Sequence, residues 1–427
     1  MSQQSALSRR SMFTGVARTT AIAAATITEV KSAFAQSMQK LSAMPHTGWQ
    51  TDDGYWTKVR AEFMMEEGFS YLNTGTLGPT PKVVVTALDK YWKMLAVNPN
   101  ENSAIFQDRQ EQIRIKLAAY VGAKPDEVAI TRNTTEGTTI LTHGLDMKTG
   151  DEVLITQYEH ASLRETRMRH AKRFGYTVKE VKFPMPCTSL QILSAFEAAI
   201  TSNTRVIHFG NPLGGYGCFV PVKQLAAMAK SKNILCFVDG AHCPGMMAFN
   251  LTEWGVDGFA CNSHKWLCGA AGAGILFVKR EVQERISPVM SIARVDPPGA
   301  RKYDQLSRRP WPCVAAFEDI LDFHSALGRA RLEQRTQALG AYLRKNVVEI
   351  PKVKLYTPTD PAMSSGSTTV GIAGIPGGRI REYLRQKYDT YTPASSESVR
   401  ISTHFFNTYE QVDRVLQAMK ELATGVA

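Results

Sequence analysis

Between about Asp126 and Lys279 one pattern recurs: a short run of β-branched and aliphatic residues, then a stretch of helical period. The runs are VAIT (128–131), VLIT (153–156), TRVIHFG (204–210), ILCFVDG (234–240) and AGILFVK (273–279), and Val222 to Ser231 is one of the amphipathic stretches between them. Unbroken apolar character, rather than alternation, means that both faces of each strand are covered. Strands of that kind separated by helices wind into a mostly parallel sheet flanked by helices, so the body of the chain is α/β.

The flanks obey other rules. Asn73-Thr74-Gly75-Thr76-Leu77-Gly78-Pro79 is a loop punctuated by Gly and Pro, leading into a helix from about Pro81 to Leu95. After the sheet, a long helical segment from about Cys313 to Val348 passes into short strands (VKLYTP, TTVGI, VRIST) and a final helix over Thr408 to Leu422. This order gives a second, smaller α+β domain. The expected division is a leader over 1–35, an N-terminal segment over 36–80 that contributes to the small domain and the active site, a large domain over 81–295 and a small domain over 296–427.

The first residues are unlike the rest. Ser8-Arg9-Arg10-Ser11-Met12-Phe13 precedes a weakly apolar Ala/Thr-rich stretch to about Val30, and Ala33-Phe34-Ala35 sets small residues two apart. That order fits a twin-arginine export signal with an A-x-A cleavage site, so the expected partner is the twin-arginine machinery and the expected location the periplasm. The stretch is too short and polar for a transmembrane helix, and stable membrane insertion is not expected. With 50 Lys and Arg against 39 Asp and Glu the chain carries +11, but the charges are mixed and form no long basic run with interleaved aromatics. Nucleic acid is therefore not the expected partner. Seven cysteines without a C-x-x-C pair exclude a zinc site of the usual spacing and argue against a disulfide framework.

Ligands of parallel α/β sheets bind beyond the carboxyl ends of the strands. Asp239 ends the run ILCFVDG. A carboxylate arriving from an apolar strand needs a cation, and the protonated nitrogen of a pyridine ring is one; alone, such an Asp is more often a helix cap. Lys265 follows the strand Val256 to Ala260 in Cys261-Asn262-Ser263-His264-Lys265-Trp266, before the small residues Gly269 to Gly274. Desolvation there makes its amine a nucleophile toward an aldehyde, whereas a lone lysine is usually a solvated face residue. Thr134 and Thr135 open a helix after VAIT, which suits a phosphate but equally an ordinary Thr cap. His160, after VLIT, has the shape to lie on an aromatic ring; a loop histidine more often only forms hydrogen bonds.

Together, Asp239-Gly240-Ala241-His242 and, about two dozen residues on, Asn262-Ser263-His264-Lys265 resemble the D-G-A-(Q/H) and (S/N)-x-H-K motifs of the class V aminotransferases. The resemblance implies the fold type I architecture, pyridoxal 5'-phosphate as cofactor, a Schiff base on Lys265, pairing of Asp239 with the pyridine nitrogen, and stacking of His160 on the ring. It also implies Thr134, Thr135, Asn262 and His264 as phosphate ligands and His242 near the phenolic oxygen. Asn73 and Asn211 would lie beside the substrate. Val399-Arg400-Ile401-Ser402 with Asn407-Thr408 is similar to the family's V-R-x-S…N-T segment, which makes Arg400 the clamp for a substrate carboxylate.

Leu306-Ser307-Arg308-Arg309 resembles a stretch of the isopenicillin N epimerase-like branch, implying that Ser307 reaches the phosphate of a neighbouring subunit in a homodimer. It departs from that pattern at Leu306 and Arg309. Desulfurases of the same class use a cysteine ahead of the C-terminal arginine, but Thr392 to Ser398 contains none. With the export-like N-terminus, the chain looks like the periplasmic tailoring enzymes of pyoverdine siderophore maturation. The implied substrate is then a peptidic siderophore whose chromophore-attached glutamate is converted to succinamide by oxidative decarboxylation, the alternatives being transamination of that glutamate to a keto acid, epimerisation of another amino compound, or a noncatalytic protein that binds pyridoxal phosphate.

Overall fold

A computed structural model of the chain describes residues 25–33, 35–40, 43 and 48–425. The Arg9-Arg10 pair and Phe34 of the A-x-A site lie outside the described residues. Residues 25–33 and 35–40 are helical, and Lys31 there pairs with Asp319 at 2.7 Å, with Glu318 and Asp322 close by.

Seven strands form the main sheet: β1 (Val128–Thr131), β2 (Glu152–Thr156), β3 (Thr177–Val181), β4 (Thr204–Gly210), β5 (Leu235–Asp239), β6 (Gly258–Asn262) and β7 (Gly274–Val278). Their order is β1-β7-β6-β5-β4-β2-β3, and every pairing is parallel except the two made by β7. A parallel neighbour requires a crossover of about a dozen residues or more, usually helical. The connection from β6 to β7, Ser263 to Ala273, holds no helix, so it returns antiparallel. This short return carries Lys265.

The apolar runs are the sheet, with every residue of β1, β5, β6 and β7 buried. Two differences have physical causes. Strand β3 escapes a search for apolar runs because it is an edge strand, where Thr177, Lys179 and Glu180 keep their side chains partly in water. Strand β6 runs on past Ala260 because Cys261 and Asn262 pair with Ile275 and Gly274, so Asn262 ends a strand instead of opening a loop.

The segment from 313 to 348 is two helices, Trp311–Leu327 and Arg329–Val347, broken at Gly328, whose φ of +85° is open to glycine. The expected boundary at residue 296 is also displaced. Trp311–Leu327 is apolar on most of its surface, and Val314, Phe317, Ile320, Leu321 and Phe323 join the large core with Leu117 and Tyr91. The smaller core begins only at Leu339 and Leu343. It lies beneath β8 (Val353–Leu355), β9 (Ser367–Ile372) and β10 (Val399–Ser402), an antiparallel sheet of order β10-β9-β8, with the helices Gly377–Tyr388 and Tyr409–Thr424. Ser70–Tyr71 pairs in parallel with Thr390–Tyr391, and Asn73 bridges Ser402. The loop beginning at Asn73 is thereby anchored on the small sheet. No helix among the described residues is long and apolar enough to cross a membrane.

One buried ion pair fixes the edge of the sheet that matters most for the site. Asp304 Oδ2 accepts from Arg114 Nη1 at 2.8 Å and from the Ile130 amide at 3.0 Å, while the same Arg114 nitrogen donates to the Val128 carbonyl at 2.7 Å. Both side chains are essentially sealed from water. Removing Asp304 leaves the sealed Arg114 with only the half-exposed Glu111, at 2.9 Å, as its carboxylate partner, so Asp304→Ala is expected to cost about 3 kcal/mol. Urea unfolding followed by circular dichroism reads this as a lowered midpoint, and an unchanged midpoint would contradict the pairing.

Candidate active site

Because β1, β2, β4, β5 and β6 point the same way, their carboxyl ends meet at one edge of the sheet. A cleft of about 600 Å³ opens there, lined among others by Thr134, Thr135, His160, Asp239, His242, Asn262, His264, Lys265 and Arg400. Its size is that of a small-molecule site.

Asp239 ends β5, nearly sealed, with Oδ1 accepting from the Ala241 amide at 3.0 Å. Burial pushes its carboxyl pKa up, and the Lys265 charge opposes that in part. Burial lowers Lys265 to about 8, a cost that Asp239 partly offsets and Arg400 adds to. Each group lacks water, and a cation delivered to Asp239 would satisfy it.

The amine also has a fixed neighbour. Lys265 Nζ lies 3.2 Å from His242 Nε2, and Trp266 Nε1 donates to His242 Nδ1 at 3.0 Å. An indole nitrogen can only donate, so Nδ1 is the unprotonated nitrogen and the neutral ring carries its proton on Nε2, facing the amine. Burial keeps His242 well below the usual imidazole range, so that tautomer persists. A proton aimed at Lys265 needs a lone pair to receive it, which favours the neutral, nucleophilic amine. The Gly214 backbone presses on this imidazole: a Cβ there would sit 2.5 Å from Nε2.

The helix Thr134–His143 is capped by Asn133, whose side chain accepts from the Glu136 amide at 3.0 Å, not by a threonine. That leaves Thr134 Oγ1 to accept from Asn262 Nδ2 at 2.9 Å and leaves Thr135 exposed at the cleft. Asn262 Oδ1 and His264 Nδ1 are buried without a hydrogen-bond partner among the described residues. Unspent first-turn amides, two hydroxyls and two unpaired polar atoms at a helix start fit a phosphate. His160 caps the next helix, with Nδ1 2.8 Å from Ser162 Oγ, and its exposed ring borders the cleft that Asp239 closes from below.

Arg400, on β10, reaches in from the small sheet. Nη2 donates to Thr76 Oγ1 at 2.8 Å and to Asn73 Oδ1 at 3.1 Å, Nη1 donates to the Gly214 carbonyl at 3.3 Å, and Nε is unpaired. A Cβ on Gly75 would lie 3.1 Å from the guanidinium carbon, so glycine is what lets the loop lie against it. Among the described residues no carboxylate pairs with Arg400, and burial lowers its pKa to about 10. An anion from outside is the missing partner.

Two sequence assignments change. Asn211 does not line the cleft: its Oδ1 accepts from the Val220 amide at 2.9 Å and its Nδ2 faces Cys243 Sγ, so it shapes the loop from behind. Asn73 is also behind the cleft wall and acts through Arg400. Ser307 is exposed and absent from its own chain's cleft. Trp266, quoted above without a role, and Glu159, not singled out from the sequence, both turn out to have one. Trp266 sets the tautomer of His242. Glu159, half-buried at the cleft wall, accepts from Thr156 Oγ1 at 2.6 Å and from the Gly210 amide at 2.9 Å, tying the end of β2 to that of β4; desolvation pushes its carboxyl up to about 8, and Asp239 pushes the same way. A carboxylate ahead of a strand-end histidine was the available signal.

A desolvated lysine, a strand-end carboxylate and a phosphate-shaped helix start on an α/β sheet define an enzyme that works through an anionic aromatic aldehyde. The sequence model of the Aminotransferase class-V family matches residues 71–415, and the chain belongs to that family, whose enzymes depend on pyridoxal phosphate. It is 26% identical over 395 residues to isopenicillin N epimerase of Amycolatopsis lactamdurans, covering 86% of this chain and 98% of that protein. It is 28% identical over 415 residues to a probable cysteine desulfurase of Halobacterium salinarum, covering 85% and 95%. Among solved structures, the apo cysteine desulfurase of Thermococcus onnurineus superposes with a TM-score of 0.77 at 22% identity, covering 86% of this chain and 98% of that one. A C-DES mutant with glycine covalently linked to its PLP cofactor gives 0.77 at 23%, covering 85% and 99%.

Lys265 reacts as the free amine, whose fraction grows as pH rises through about 8. The rate at which apoprotein takes up pyridoxal phosphate should therefore climb about tenfold per pH unit below that value and level off above it. In Trp266→Phe, His242 loses its fixed tautomer and the midpoint should move up toward that of an ordinary lysine. Stopped-flow absorbance measures both, and identical midpoints would refute the tautomer argument.

Proposed function

We propose that this enzyme acts in the periplasm as a homodimer on a pyoverdine-type siderophore peptide, converting its chromophore-attached glutamate to succinamide by oxidative decarboxylation. Arg400 carries the reading: a half-buried guanidinium that pairs with no carboxylate among the described residues and lines the same cleft as Lys265. A glutamate's free α-carboxylate and α-amine offer one partner to each of those two groups. Support for export comes from the ordered twin-arginine signature, and for a shared dimeric site from the exposed position of Ser307.

When bound, pyridoxal phosphate supplies an aldehyde that condenses with amines and a ring that withdraws electrons from the bond broken beside the nitrogen. Thr134, Thr135, Asn262 and His264 would hold its phosphate, Asp239 its ring nitrogen, and His160 its face. The chain's own work is then positional and acid–base. Arg400 fixes the carboxylate by a two-nitrogen fork, which sets the bond presented for cleavage. Lys265, with a pKa near 8, gives and takes a proton at the substrate carbon close to neutral pH. His242 keeps that amine supplied with a hydrogen-bond donor instead of a competing cation.

A second reading, epimerisation or transamination of another amino compound, is favoured by the isopenicillin N epimerase relatives. Desulfuration finds no support, since among the described residues no cysteine lines the cleft. Incubating the holoenzyme with a glutamate-bearing pyoverdine precursor and resolving products by mass spectrometry separates the outcomes. Succinamide formed with consumption of dioxygen supports the proposal, a keto acid indicates transamination, and unchanged mass with inverted configuration indicates epimerisation. Arg400→Ala should lower kcat/KM by about 100-fold or more, through loss of hydrogen bonds to a charged partner. Wild-type kinetics in that variant would show that the carboxylate is held elsewhere.

A further inference from the structure

All seven cysteines are free, but two of them touch. Cys187 Sγ and Cys218 Sγ are 3.7 Å apart in the large core, with Cys187 6% exposed and Cys218 sealed. We propose that these two thiols form a reversible disulfide that staples one wall of the active-site cleft.

Their surroundings give the bond a consequence. Cys187 lies immediately before Thr188, which caps the helix Ser189–Ala199 with its side chain on the Gln191 amide. Cys218 closes a tight loop: its carbonyl accepts from the Leu213 amide at 2.8 Å, and the Tyr216 and Gly217 amides both donate back to the Leu213 carbonyl. This loop holds Leu213 and Gly214 against the cleft, and the Gly214 carbonyl is the one that receives Arg400. On its other side the loop is sewn to the small sheet, with Thr369 Oγ1 donating to Gly215 and Thr357 Oγ1 to Tyr216. A bond from Cys218 to Cys187 would therefore tie the helix start, the arginine-contacting loop and the large core into one unit, and its absence leaves that loop held by hydrogen bonds alone.

The pair is also ordered for exchange. Thiol–disulfide exchange begins with the more accessible and more acidic thiol. Cys187 is the one with an open edge, and the hydrogen bond between the two thiols lowers its pKa while that same bond, together with burial, raises that of Cys218. With oxidised glutathione as oxidant, the Cys187 thiolate attacks one glutathione sulfur and expels the first glutathione thiolate. Cys218 then loses its proton and attacks Cys187 Sγ, expelling the second. Two protein thiols are oxidised and one glutathione disulfide is reduced to two thiols. None of this depends on the compartment or on the substrate.

The test uses full-length holoenzyme treated with oxidised glutathione, alkylated in denaturant and digested without reductant. The expected result is one cross-linked pair joining the Cys187 and Cys218 peptides, reversed by reduced glutathione, with the other cysteines alkylated. Cys218→Ser should instead trap glutathione on Cys187, while Cys187→Ser should leave Cys218 free. In the oxidised wild type, hydrogen exchange at Leu213, Tyr216 and Gly217 should slow. Full alkylation of both thiols, or a glutathione adduct on wild-type Cys187 that never resolves, would overturn the bond; unchanged exchange would overturn the staple.

Discussion

The site depends on one short connection. Because β6 returns directly as antiparallel β7 instead of crossing over through a helix, Ser263 to Ala273 is held at the carboxyl edge of an otherwise parallel sheet. That places Lys265 opposite the end of β5, where Asp239 waits, and beside the helix start after β1. The buried Arg114–Asp304 pair serves the same geometry from outside, since it clamps β1 and so the helix that follows it.

Electrostatically, the cleft is assembled from groups that are poorly satisfied alone. Lys265 is an amine whose charge desolvation disfavours, Arg400 is a half-buried guanidinium without a carboxylate among the described residues, Asp239 is a carboxylate with one backbone donor, and Asn262 and His264 each present an unpaired atom. Their burial costs are recovered when a ligand brings phosphate, ring cation and carboxylate together. The exception is His242, which is fully committed: Trp266 occupies one nitrogen and the lysine faces the other. It adds a fixed donor beside the amine to the desolvation that already lowers the pKa of Lys265.

Much of this was legible in the sequence because the chemistry sits where apolar runs stop. Asp239, Lys265, Thr134 and His160 all follow such runs, and the structure gathers them at one edge. What the runs hide is which neighbour a side chain selects. Asn211 and Asn73 are polar and adjacent to the site, yet each spends its amide on the scaffold, a choice made by Val220 and Arg400 from far along the chain. Trp266 reads as an ordinary core aromatic until its indole nitrogen is seen against His242. The edge strand β3 and the break at Gly328 were obscured for local reasons, partial solvation in one case and a single left-handed residue in the other.

The claim on which everything else rests is that Lys265 is the amine that carries the cofactor. Reducing the holoenzyme with borohydride, which fixes a lysine-bound pyridoxyl group, and mapping the modified peptide by mass spectrometry tests it directly. The account predicts a single pyridoxyl group on the peptide containing Lys265, and none in Lys265→Ala. A pyridoxyl group on any other lysine of the wild-type chain, or none at all, would contradict it.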